Sequence, residues 1–200
     1  TMIHGNIDLK DLFLLNKKIT FLNHGSFGSC PTPIFEDFQE YQTLLETQPI
    51  AFLDEHIGKN ILSAQQALSK FLNCNEDDIV FFTNPTTAIN EVMRSIPLRA
   101  GDEILSSTHE YGALDKAWDF ICKKRNSLYV KALIPNPIPS KVAFIDSFVS
   151  AITSRTKVIF ISHITSITGL IFPVKEIIEI AKKKNIITII DGAHVPGHIP

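Results

Sequence analysis

The run Ile186-Ile187-Thr188-Ile189-Ile190-Asp191-Gly192-Ala193-His194 limits what this chain can fold into more than any other stretch. Five apolar or β-branched residues in succession mark a strand covered on both faces, and such strands belong to parallel sheets sheltered by helices. The abrupt change to a carboxylate, a glycine and a histidine puts polar groups at the carboxyl end of the strand. That is where open α/β sheets bind ligands. Taken alone, Asp191 reads equally well as an ordinary turn residue capping a nearby backbone group.

The second half of the chain repeats this grammar. Glu103-Ile104-Leu105-Ser106-Ser107 reads as a strand leaving through Thr108-His109-Glu110-Tyr111, followed by a helix from Gly112 to Arg125 with Leu114, Trp118 and Ile121 on one face. Ser127 to Ile134 alternates as a further strand, and Pro135-Asn136-Pro137-Ile138-Pro139 can only be a surface connection. Phe144 to Ile152 predicts a helix. Lys157 to Ile161 predicts another buried strand, ending in Ser162-His163-Ile164-Thr165-Ser166-Ile167-Thr168-Gly169, and Val174 to Lys184 a helix leading into the opening run. Further back, Ile79-Val80-Phe81-Phe82 predicts a short buried strand that empties through Thr83-Asn84-Pro85-Thr86-Thr87 into a helix over 88–94. The expectation is a three-layer α/β fold, a mostly parallel sheet with helices on both faces. Four strand exits bearing polar residues suggest one shared crevice.

The first third carries packing elements. Phe21 to Pro31, with Gly25 and Gly28, reads as irregular backbone presenting Asn23, His24 and Ser26. Thr32 with Pro33 predicts a helix start, Ile34, Phe38, Tyr41 and Leu45 its apolar face, and Pro49 its end. A second helix is expected from Asn60 to Leu72, with Ile61, Ala64, Leu68 and Phe71 in helical spacing.

Composition excludes several classes. An apolar content of 44% with 14 Phe supports a sizeable core and rules against disorder. A net charge of -2, with both signs interspersed, offers no field for a nucleic acid or an anionic membrane. Cys30, Cys74 and Cys122 are odd in number and widely spaced, which fits neither a disulfide framework nor structural zinc and suits a reducing cytoplasm. The opening Thr1-Met2-Ile3-His4-Gly5-Asn6 lacks a basic segment followed by an apolar one, so it does not read as a secretory signal. The Thr1 before Met2 reads as a remnant of expression.

Some residues invite chemistry. Thr86 and Thr87 stand where free N–H groups, the positive end of a helix dipole and two hydroxyls converge, which suits an anion. The same residues also read as plain helix caps, and a cap can be displaced by phosphate. Tyr111, at a strand exit, can stack on a planar ligand or simply pack at the rim. His163 alone reads as a structural histidine. His194 and His198 have the i, i+4 spacing of a metal pair, but Pro196 and Gly197 forbid the helix that such a pair needs, so no metal site is expected.

Taken together, Asn84-Pro85-Thr86-Thr87-Ala88-Ile89-Asn90, His109-Glu110-Tyr111-Gly112-Ala113, Ser162 to Gly169 and Asp191 to His194 resemble the class V aminotransferases. These are fold-type I pyridoxal phosphate enzymes that include the cysteine desulfurases. Leu22-Asn23-His24-Gly25-Ser26-Phe27-Gly28, followed by Pro31, is more similar to the isopenicillin N epimerase-like branch. The resemblance runs from about residue 20 to the end in the family's order.

The resemblance implies pyridoxal 5'-phosphate as cofactor and an amino acid as substrate. Thr86 and Thr87 would hold the cofactor phosphate. Tyr111 would stack on its ring, where desulfurases present a histidine. Asp191 would pair with the pyridine nitrogen and keep the ring cationic, an electron sink for a carbanion at the substrate α-carbon. His194 would reach the phenolic oxygen. Ser166 takes the place of a desulfurase asparagine facing that oxygen, a departure that points away from a desulfurase and leaves the role of Ser166 open. Asn23 and His24 would lie on the substrate side.

The family's Schiff-base lysine lies a few tens of residues beyond the Asp-Gly-Ala-His motif, but no lysine follows Lys184 here. The resemblance therefore implies the amino-terminal part of a longer enzyme: 1–30 a substrate-side segment, 31–200 the first part of the cofactor-binding domain, and the remainder absent. Alone, these 200 residues are expected to be inactive and poorly stable. The whole enzyme would be a cytoplasmic homodimer that epimerises its amino acid, cleaves a C–S bond or transaminates. A cysteine desulfurase and a non-catalytic α/β module binding another anion are the alternatives.

Overall fold

A computed structural model describes residues 8–199, and the chain divides into two compact units, the first ending at Phe81 and the second beginning at Phe82. The opening residues read above for a leader, and Pro200, lie outside the described range.

The first unit is helical. Helix α1 (Thr32–Thr47) ends before Pro49, as expected, and Pro49 then serves as first residue of α2 (Pro49–Ala51). A π-turn over Phe52–His56 joins this to α3 (Ile57–Leu72), which stops where Asn73 turns left-handed at φ 53° and gives its N–H to Ser69 O. The start of α1 differs by one residue from expectation: Thr32 is the first helical residue and Pro31 holds the cap position.

The second unit is the α/β body. Helix α4 (Pro85–Ser95) leads to strand β1 (Glu103–Ser107), α5 (Gly112–Arg125), β2 (Leu128–Ala132), α6 (Lys141–Ser150), β3 (Thr156–Ser162), α7 (Val174–Lys183) and β4 (Ile187–Asp191). Helix α6 begins three residues before its expected start, because Ser140 Oγ accepts from Ala143 N–H at 3.1 Å and caps it. The four strands are all parallel, in the order β2-β1-β3-β4.

This order and the right-handedness of strand-to-strand crossovers fix where the helices go. The chain steps from β1 to β2 in one direction, then returns across β1 to β3 and on to β4 in the other. Right-handed connections therefore put α5 on one face and α6 and α7 on the opposite face. The core follows this division. Ile104, Val158 and Phe160 join Ile89 and Met93 of α4 and Leu114, Trp118 and Ile121 of α5, while Leu105, Ile159 and Ile161 join Phe144 and Phe148 of α6 and Ile177 of α7. Odd and even strand residues serve different layers, as the period of two requires. Asp115 accepts a 2.7 Å hydrogen bond from Tyr129 Oη and pairs with Lys131, tying α5 to β2.

One expected strand is not formed. Residues 79–82 are extended but outside any ladder, and Val80 is 72% exposed. A short apolar run becomes a strand only where a neighbour completes its hydrogen bonds, and no described segment pairs with this one. Its one side-chain tie is Gln65 Nε2 donating to Ile79 O at 2.7 Å.

Candidate functional site

The strand order reverses between β1 and β3, so the chain leaving β1 runs to α5 on one face and the chain leaving β3 runs towards α7 on the other. Such a divergence opens a crevice at the carboxyl ends of the strands. The residues around it are mainly polar: Ser107 to Tyr111 after β1, Ser162 and His163 at the end of β3, and Asp191 to His194 after β4.

Asp191 ends β4 opposite Ser162 in the ladder and is 7% exposed. Its backbone oxygen accepts from His163 N–H at 2.9 Å, and its Oδ1 accepts from Ala193 N–H at 3.0 Å. No described residue donates to Oδ2. Alternation along β4 decides where the side chain goes: Ile189 packs with the α4/α5 cluster and Ile190 with the α6/α7 cluster, so Asp191 projects on the α4/α5 side.

Tyr111 holds the cap position of α5 and is 44% exposed, so its ring is presented at the rim without being spent in the core. Thr86 and Thr87 occupy the first turn of α4, which packs on the same face as α5. The expected cap is corrected here: Asn84 caps the helix, its Oδ1 accepting from Thr87 N–H at 2.8 Å. Pro85 has no N–H to offer, so the Thr86 N–H and both threonine hydroxyls remain for an anion.

Ser166 is exposed in the turn after β3, a loop closed by Thr165 Oγ1, which accepts from Leu170 N–H at 2.9 Å. His194 is half-buried, and its backbone oxygen lies 2.5 Å from His198 Nδ1. The segment 194–198 forms turns instead of a helix, with Gly197 at φ 82°, as Pro196 and Gly197 dictate. Asn23 and His24 belong to the first unit. There the Asn23 carbonyl accepts from Ser26 and Phe27 N–H, and the His24 ring meets Phe21 edge-on at 4.7 Å. Strand pairing thus brings Asp191 beside the end of β3, and packing sets Tyr111, Thr86 and Thr87 on helices that cover the face towards which Asp191 projects.

Sequence reasoning passed over Glu110. This carboxylate is 4% exposed and sits at the crossover between β1 and β3. Ser107 Oγ donates to its Oε1 at 2.5 Å, while Ser162 N–H and Ser162 Oγ donate to its Oε2 at 2.9 and 2.6 Å. Burial pushes its carboxyl above the ordinary carboxylate range, and these hydrogen bonds pull the other way. Only part of the signal is local, a carboxylate inside a strand exit; its partner Ser162 ends a strand far along the chain.

Solved structures share the fold. A cystine C–S lyase in complex with cysteine persulfide superposes with a TM-score of 0.80 at 21% identity, over 90% of this chain and 49% of that one. A cysteine desulfurase from Escherichia coli gives 0.79 at 20% identity, over 96% and 49%. In sequence, isopenicillin N epimerase of Streptomyces clavuligerus is 33% identical over 93% of this chain and 47% of its own length. A putative L-cysteine desulfhydrase of Oryza sativa is 26% identical over 90% of this chain and 40% of its own. The chain spans about half the length of the curated relatives it matches. The aminotransferase class-V model matches residues 28–200, and the chain belongs to that family.

Proposed function

We propose that the protein containing this chain is a pyridoxal phosphate enzyme acting at the α-carbon of an amino acid, an epimerase, C–S lyase or transaminase of the isopenicillin N epimerase-like kind. The observation that carries the reading is Asp191: a buried carboxylate at a strand exit, one oxygen held by Ala193 N–H and the other unengaged, on the sheet face that α4 and α5 cover. The described residues fit three parts of the cofactor. A free N–H and two hydroxyls at a helix start suit its phosphate, a carboxylate suits its pyridine nitrogen, and a half-exposed aromatic ring suits its flat face.

In this reading Thr86 and Thr87 bind the phosphate and Tyr111 lies against the ring. Asp191 accepts the hydrogen bond from the pyridine N–H and keeps that proton in place. His194 and Ser166 would hold the phenolic oxygen, and Asn23 and His24 would serve the substrate. When bound, the cofactor supplies a cationic ring that draws electrons from the α-carbon and makes its proton removable. A lysine outside residues 1–200 completes the site. Residues 1–30 form the substrate-side segment and 31–200 the first part of the cofactor-binding domain. The whole protein is a cytoplasmic homodimer, a location that suits three free cysteines.

The test uses the full-length protein. Incubated with pyridoxal phosphate, it develops a visible absorbance band that borohydride bleaches, and Asp191→Ala weakens or shifts that band. A protein that stays colourless, or an Asp191→Ala variant with an unchanged band, overturns the reading in favour of an anion-binding module.

A further inference from the structure

We propose that Glu110 is a positioning residue for this site: its carboxylate ties the loop that carries Tyr111 to the end of β3 beside Asp191, and so sets the gap that the cofactor ring must enter. The inference rests on the functional reading above and assigns a role to a residue which that reading leaves unused.

The argument starts from the ladder. Strand β1 ends at Ser107, whereas β3 continues to Ser162, whose other neighbour is Asp191 of β4. The His163 N–H faces β4 and donates to Asp191 O. The preceding N–H, that of Ser162, faces the β1 side, where the strand has already ended. Glu110 Oε2 accepts it at 2.9 Å and stands in for the missing strand carbonyl, taking the Ser162 hydroxyl as well. Oε1 returns to Ser107 at 2.5 Å and closes the loop 107–110 on itself. Ser107 Oγ in turn accepts from His109 N–H at 3.1 Å. One side chain therefore joins the two diverging exits at the point where backbone pairing has stopped.

An apolar residue could fill buried space here, as Ile104 and Val158 do nearer the amino ends of the same two strands. Burying a carboxylate instead is costly, and its return is direction: three hydrogen bonds fix distance and angle where apolar contact fixes neither. Tyr111 follows Glu110 directly, and Asp191 is bonded to the residue that follows Ser162. The clamp therefore holds a proposed ring-stacking group and a proposed ring-nitrogen partner through one short path on each side.

The experiment compares wild-type, Glu110→Ala, Glu110→Gln and Ser107→Ala full-length proteins by three readouts: pyridoxal phosphate affinity from quenching of intrinsic tryptophan fluorescence, visible circular dichroism of the bound cofactor, and melting of the cofactor-free protein. Glu110→Ala is expected to weaken binding by about tenfold, the scale of losing one fixed polar contact, and to remove most of the visible ellipticity. Glu110→Gln keeps an acceptor for Ser162 and can still bond Ser107 with the direction reversed, its amide N–H donating to Ser107 Oγ, and stays within about twofold of wild type. Should Glu110→Ala fail to fold, Ser107→Ala decides, with a smaller loss of ellipticity expected and an unchanged signal counting against the proposal. A folded Glu110→Ala protein with wild-type affinity and ellipticity, merely melting lower, overturns the inference alone. Wild-type protein that binds no cofactor overturns the functional reading and this inference with it.

Discussion

The start of α4 gives the sharpest quantitative test, because one backbone N–H there has two claimants. Asn84 Oδ1 accepts from Thr87 N–H at 2.8 Å, and losing such a cap costs about 1 kcal/mol. Asn84→Ala should therefore lower the urea midpoint of the cofactor-free full-length protein by about 0.3–1 M for slopes of about 1–3 kcal/mol per M. An anion bound at this helix start needs donors, and Pro85 removes one. If the cofactor phosphate takes the Thr87 N–H, it must first displace the Asn84 side chain, so the native cap opposes binding. The difference between wild type and Asn84→Ala should then shrink when pyridoxal phosphate is saturating. By linkage, the variant should bind up to about fivefold more tightly, the factor that corresponds to about 1 kcal/mol. Denaturation with and without cofactor, alongside a direct titration, measures both sides of the cycle. An equal loss of stability in the two conditions would show that the phosphate does not use Thr87 N–H. No loss in either would remove the cap itself.

Two further outcomes are expected. Burial raises the Glu110 carboxyl above its ordinary value of 4.5, so at pH values between the ordinary and the raised value the folded protein holds a proton that the unfolded chain has released. The stability it contributes is fully present below that ordinary value and is lost as pH rises through the raised one. Denaturant midpoints stepped upward in pH should therefore fall more steeply for wild type than for Glu110→Gln, and identical slopes would refute the assignment. Phe160 is fully buried against Trp118 at 5.7 Å between ring centroids. Phe160→Ala should cost about 3–5 kcal/mol in a denaturant melt, and a loss below about 1 kcal/mol would mean that the α4/α5 layer is not packed as described.

What the sequence made legible follows from how local each signal is. The strands at 157–161 and 186–190 were readable because each is an apolar run long enough to be covered on both faces, and 103–107 because Ile104-Leu105 sits between two helical periods and runs out into Ser106-Ser107. Residues 79–82 carry the same composition but lack a partner among the described residues, and composition cannot report a missing ladder. At α4, Asn84, Thr86 and Thr87 are all cap formers. Pro85 settles the choice, since proline favours the first helical position and leaves the cap to the residue before it. Asp191 was visible as a polar residue ending an apolar strand. Glu110 was not, because its partner Ser162 lies 52 residues away and only the reversal of strand order brings them together.

That reversal also explains why the polar groups gather on one side of the sheet. Right-handed crossovers send α5 to the opposite face from α6 and α7, and α4 packs beside α5. Tyr111 caps α5 and is assigned to that face by the handedness of the β1-to-β2 connection, while Thr86 and Thr87 in the first turn of α4 are brought there by the packing of α4 against α5. Asp191 reaches it by a different rule, the alternation of β4. A slip of one residue in the pairing of β3 with β4 would turn Asp191 towards Phe144 and Ile177, and would turn Ile190 towards the α4/α5 side in its place. The slip is resisted by the cost of burying the Asp191 carboxylate among the apolar side chains of Phe144 and Ile177. The register Ser162↔Asp191 thus spares the α6/α7 layer a charge, and the carboxylate that the proposed chemistry requires is delivered by the same pairing that stabilises the sheet.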